Sequence, residues 1–129
     1  MKDLIKKALA EVVGTFVLVF FACGVAALTC TDHAGQVGTA LAFGLVIVAM
    51  AYTVGRVSGC HINPAVSLGC LLTKRMTLKE FGVYVAAQIV GGFVGAVALF
   101  GILKWNGFDI NNSACNLPVF KEFTAAGIV

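Results

Sequence analysis

The sequence predicts an all-α membrane protein, with three spanning helices and one re-entrant half-helix lying between the second and the third. Three observations carry that expectation. Of 129 residues, 60% are hydrophobic and only 12% are Asp, Glu, Lys or Arg, and the mean hydropathy is +0.98, where soluble chains carry about 25% charged residues. The few charges leave uncharged windows at 12–31, 33–55, 57–73 and 81–103, and about 20 helical residues cross a hydrocarbon core of about 30 Å. The third window is also the shortest, and Gly59 and Pro64 interrupt it.

The first span is expected at about 9–28. Its Lys-rich start also suits a secretory signal peptide, but the apolar stretch exceeds the usual 7–15 residues or so of such a leader, and further spans follow. The second span is expected at about 38–55. The third window reads differently: Asn63 suits an N-cap and Pro64 the first helical position, so a helix begins in mid-window. Ten residues from Pro64 to Thr73 cover roughly 15 Å, half of the hydrocarbon core. The segment at about 57–73 therefore reads as irregular backbone that enters, turns near Asn63 and returns as a half-helix. Irregular backbone at membrane depth is tolerated only inside protein or along a water-filled cavity. A kinked fourth span is the alternative, and it would carry Lys74, Arg75 and Lys79 to the far side. The last span is expected at about 81–103, with Gly91 and Gly95 in a GxxxG spacing one turn beyond Ala87. An extracellular loop at about 104–122 follows.

The basic residues mark a membrane side rather than a nucleic-acid partner. Lys2, Lys6, Lys7, Arg56, Lys74, Arg75 and Lys79 fall on one side of this topology, Lys104 and Lys121 on the other. The positive-inside rule then places the N-terminus in the cytoplasm of a multi-pass protein of the cell membrane. A soluble enzyme, a nucleic-acid binder and a disordered tail are excluded, because each needs a polar surface that this composition lacks.

Ser58-Gly59-Cys60-His61-Ile62-Asn63-Pro64-Ala65 resembles the first signature loop of the aquaporins, the major intrinsic proteins. Its context strengthens the likeness: Ala10-Glu11 with Gly14-Thr15, Ala40-Leu41-Ala42-Phe43-Gly44, and Ala87-Gln88 with Gly91-Gly92 all look like the family's pattern. Gly107-Phe108-Asp109 looks like the bacterial water channels in particular. The resemblance covers the N-terminal half of that fold and makes 1–129 a single partial aquaporin-like domain.

The resemblance implies a right-handed bundle of six spans, in which two half-helices meet end to end, each carrying Asn-Pro-Ala. Only one such signature stands here, at Asn63, Pro64 and Ala65. It implies a passive water pore, forming a homotetramer when complete and needing a complementary C-terminal half. A glycerol or small neutral solute facilitator, and a truncated, non-conducting packing or regulatory protein, are the alternatives. The positive end of the half-helix and the Asn63 amide would repel cations and orient water, so that water passes and protons do not. The carbonyls of Gly59, Cys60, His61 and Ile62 would line the pore, with the Ile62 side chain adding apolar surface. Phe43 matches the aromatic narrowing residue of water-selective members. Glu11 and Gln88 would brace the irregular backbone rather than touch solute.

No nucleophile and base pair or paired carboxylates share a site, so no catalytic residue and no enzymatic activity is expected. No metal or other cofactor is expected, because His33 and His61 have no carboxylate at a ligand spacing. The five cysteines, at 23, 30, 60, 70 and 115, form no CxxC pair and suggest no disulfide framework. Cys60 is expected on the pore wall, open to thiol reagents. The partners expected are the bilayer and water or a small neutral solute, without nucleic acid.

Overall fold

A computed structural model describes residues 2–29 and 33–107. The helices among the described residues run in the order α1 Lys2–Val17, a π-helical segment Leu18–Cys23, α2 Gly24–Thr29, α3 His33–Thr53, α4 Gly55–Ser58, α5 Pro64–Leu72 and α6 Leu78–Trp105. Among the described residues three stretches are long and apolar enough to cross a membrane: Lys2–Thr29, Gly35–Thr53 and Leu78–Trp105. Their bounds differ from those expected from charge spacing. The first helix begins at Lys2, because charged side chains in an end turn reach polar surroundings without breaking the helix. The second ends at Thr53, where Val54 turns the chain into the four residues of α4. That short helix takes up Val57 and Ser58, so the non-helical backbone begins only at Gly59. The last helix continues through Lys104 and Trp105, two residues past the expected 103. Residues 108–122 of the expected 104–122 loop lie outside the described residues, as do Cys30 and Cys115.

Local chemistry explains the two helix starts nearest the irregular segment. The Asn63 side-chain oxygen accepts from the Ala65 amide at 2.8 Å, and Pro64 needs no donor at the first position. Thr77 begins α6 with a capping box: its hydroxyl accepts from the Glu80 amide at 3.2 Å, and the Glu80 carboxylate accepts from the Thr77 amide at 3.0 Å. Between these, α5 ends in a Schellman arrangement. The Arg75 amide donates to Cys70 O at 2.8 Å and the Lys74 amide to Leu71 O at 3.0 Å, with Lys74 at φ 59° in the left-handed region. The nine residues of α5 are roughly 14 Å long, too short to cross the hydrocarbon core.

The first and last long helices pack almost backbone to backbone. A Cβ built on Gly91 would overlap the Val12 carbonyl, and one on Gly95 would stand 2.9 Å from Phe16 O. Small residues at this spacing permit the close approach that drives helix association in lipid. Lys7 and Glu80 close one end of the seam with a 3.4 Å ion pair. α5 lies against α6 and α4 against α1, which brings both sides of the Asn63 turn onto the α1–α6 pair. Much of α3 is exposed, including Leu41, Leu45, Ile47 and Val48, a composition suited to contact with lipid or with further apolar protein.

Candidate functional site

From Gly59 to Asn63 the chain leaves helical geometry. Gly59 has φ 89°, Cys60 φ 54° and Ile62 φ 41°, so two residues with side chains occupy the left-handed region. Each costs roughly 1–2 kcal/mol, and the backbone persists only because something holds it. Glu11 of α1 does so. Its side chain is 0% exposed. One carboxylate oxygen accepts from the Ser58 hydroxyl at 2.6 Å and the His61 amide at 2.9 Å. The other accepts from the Ile62 amide at 2.6 Å and the Gln88 side-chain amide at 2.8 Å. Four donors thus fill the acceptor capacity of the carboxylate, and two of them are main-chain amides of the strained turn.

A second set of bonds ties the turn to α5 and α6. Gln88, 2% exposed, also donates to the Ser67 hydroxyl at 3.0 Å. Both bonds go to acceptors, which fixes the orientation of its amide and leaves Oε1 buried without a partner among the described residues. Ser67 lies 3.0 Å from His61 Nδ1. With Gln88 donating to it, the Ser67 hydroxyl keeps one lone pair and one proton for that nitrogen, and the direction of the bond follows the tautomer of the ring. The imidazole rests on Tyr84, with ring centroids 5.0 Å apart, and the Tyr84 hydroxyl donates to Ser58 O at 2.6 Å. The Cys60 amide donates to the Ser58 hydroxyl at 3.1 Å.

With so many amides engaged inward, the carbonyls are left over. Among the described residues no group donates to the carbonyls of Gly59, Cys60, His61 or Ile62. Asn63, Pro64 and Ala65 are exposed. Because the atom facing the Ala65 amide must be an acceptor, it is Asn63 Oδ1, and Nδ2 carries two free protons away from α5. The Ile62 side chain points the other way. It is 5% exposed and packs on α1, where a Cβ at Gly14 would stand 2.5 Å from its Cγ2. Its expected apolar contribution to an open surface is therefore replaced by a role in seating the turn.

Glu11, Gln88 and the turn from Gly59 to Asn63 come together in one hydrogen-bonded unit. Phe43 does not join it: it is half-buried on α3, and no hydrogen bond or ring contact among the described residues links it to Asn63. Cys60 is half-buried with a free thiol, as are Cys23 and Cys70. No group of three or more His, Cys, Asp or Glu side chains suited to a metal occurs among the described residues. The sequence reading missed Ser58, Ser67 and Tyr84 as positioning residues. Spacing carried a signal for two of them, since Ser67 follows Asn63 by four and Tyr84 precedes Gln88 by four, one helical turn in each case.

Apolar helices of spanning length around a polar, strained turn define a multi-pass membrane protein, and the comparisons place it more narrowly. Residues 1–127 match the Major intrinsic protein family, and the chain belongs to that family. It is 44% identical over 108 residues to Aquaporin Z of Rhodopseudomonas palustris, covering 81% of this chain and 45% of that protein. Identity to Aquaporin Z of Photorhabdus laumondii is 39% over 128 residues, covering 96% of this chain and 55% of that one. The X-ray structure of the aquaglyceroporin from Plasmodium falciparum superposes with a TM-score of 0.75 at 30% identity, over 88% of this chain and 47% of that chain. The chain thus spans about half the length of the relatives it matches.

Proposed function

We propose that this chain supplies one half of the wall of a passive water pore, with Asn63 at its narrow midpoint. The observation that carries the reading is the Asn63 amide, whose oxygen is committed to the Ala65 amide at 2.8 Å while its nitrogen faces open space. A water that accepts from this amide must point its own protons outward, toward carbonyls such as those of Gly59 to Ile62. It is then wrongly oriented to accept a relayed proton. The positive end of α5, worth about half an elementary charge, opposes cations at the same place. Phe43 narrows the pore elsewhere along its length, Glu11 and Gln88 brace the carbonyl wall, and the N-terminus lies in the cytoplasm of the cell in whose plasma membrane the protein sits. The second signature comes from a complementary C-terminal half, and the completed pore assembles as a homotetramer.

The test is reconstitution into vesicles, alone and together with the C-terminal half of Aquaporin Z from Rhodopseudomonas palustris, with stopped-flow light scattering after an osmotic step. Fast shrinkage with the pair and not with the chain alone supports the reading. Fast shrinkage with the chain alone overturns the need for a second half, and none in either case favours a non-conducting packing protein. The likeness to an aquaglyceroporin structure gives a second reading, a small neutral solute such as glycerol, which the same vesicles test by re-swelling in a glycerol gradient.

A further inference from the structure

On the side of the α1–α6 seam away from the Asn63 turn runs a groove of about 410 Å³ lined by Leu4, Ile5, Leu9, Val83, Ala86 and Val90 among others, with no polar lining. That volume lies within the roughly 300–1,000 Å³ of small-ligand pockets. On α6, Val83, Ala86 and Val90 form one stripe at helical spacing, and Lys79 continues it by one turn to the helix start. Tyr84 and Gln88, which hold the polar network, occupy a different face of the same helix. On α1, Lys2 and Lys6 stand beside Ile5 and Leu9. Lys2, Lys6 and Lys79 are exposed, and among the described residues none is in an ion pair: Glu80 is taken by Lys7, and Asp3, exposed in the first turn of α1, offsets part of the positive charge at this end without pairing with any of the three.

We infer that this groove holds one acyl chain of an anionic phospholipid from the leaflet nearest the N-terminus, with its phosphate between Lys79 and the Lys2–Lys6 pair. The apolar walls suit a hydrocarbon chain and nothing polar, and the cations sit only at the end where a headgroup would lie. A zwitterionic phospholipid would fill the groove equally well, but its own headgroup cation would offset its phosphate and supply no net counter-charge to the three lysines. Each lysine near an anionic lipid surface favours binding by roughly fivefold. The inference stands whether or not the protein conducts water.

Native mass spectrometry of the full chain, released from detergent with phosphatidylglycerol or phosphatidylcholine of equal chain length, reads the lipid retained per protein. Preferential retention of phosphatidylglycerol is expected. Lys79→Gln should lower that preference roughly fivefold, Ala86→Trp should remove retention of both lipids by filling the groove, and Lys74→Gln, off the stripe, should change neither. Circular dichroism confirms that each variant is folded. Equal retention of the two lipids by the parent chain would overturn the inference. So would an unchanged preference in Lys79→Gln, unchanged retention in folded Ala86→Trp, or a loss in Lys74→Gln as large as that in Lys79→Gln, which would mean that positive charge alone attracts the lipid.

Discussion

Glu11→Gln isolates the bracing of the strained turn, because it keeps size and removes one acceptor. Whichever way the new amide turns, its NH2 faces a main-chain N–H. On one side it meets the His61 amide, 2.9 Å from the present oxygen, and on the other the Ile62 amide, at 2.6 Å. The first orientation costs less, since the Ser58 hydroxyl can rotate to accept, whereas Gln88 would have to turn and leave Ser67 as well. Even so, one buried donor is stranded, at about 1–3 kcal/mol, and the remaining bonds lose the strengthening of a charged acceptor. A loss of about 3 kcal/mol makes local opening roughly a hundredfold more frequent. Hydrogen exchange by mass spectrometry on a peptide spanning 58–63, in detergent or nanodiscs, reads that opening directly. If exchange there stays within threefold of the parent chain, the carboxylate is not what holds the turn.

Three further outcomes test other parts of the structure. Gly91→Ala drives a methyl into the Val12 carbonyl and should lower stability against SDS unfolding by about 1–3 kcal/mol, while Gly101→Ala, with nothing within 4 Å, should be neutral or slightly stabilising. A bulky thiol reagent on Cys60 should block water flux in vesicles that conduct, and unchanged flux after complete labelling would remove Cys60 from the pore wall. Thr77→Ala breaks the capping box and should cost about 1 kcal/mol in the same unfolding assay, a change too small to see only if the start of α6 is held by tertiary packing instead.

The parts of the fold that were legible in the sequence are those set by one-dimensional pattern. Gaps between charges announced three long apolar helices, and Asn63-Pro64 announced the start of α5, since an N-cap and a proline are read from adjacent residues. The π-helical winding over Leu18–Cys23 left no such mark, and neither did the continuation of the last helix through Lys104 and Trp105. Within the candidate site, Glu11 and Gln88 drew attention as polar residues in apolar surroundings. Ser58, Ser67 and Tyr84 did not, because their importance lies in partners 21 to 47 residues away. The direction of the Ile62 side chain was equally hidden: it depends on a φ of 41° that no local propensity favours for a β-branched residue.

The long reach of the Glu11 bonds also bears on how the protein is made. Translation delivers Glu11 well before any of its donors: Ser58, His61 and Ile62 come 47 to 51 residues later and Gln88 comes 77 residues later. During that interval an unsatisfied carboxylate in hydrocarbon is expensive, and Lys6 and Lys7, about a turn away, favour holding this end of the helix at the lipid headgroups. The first helix can settle to its final depth only when the turn and the last helix arrive to receive it. Biogenesis therefore couples the earliest segment to the latest described one, and a ribosome-stalled chain ending before Gln88 should leave Glu11 within reach of water-soluble carboxylate reagents.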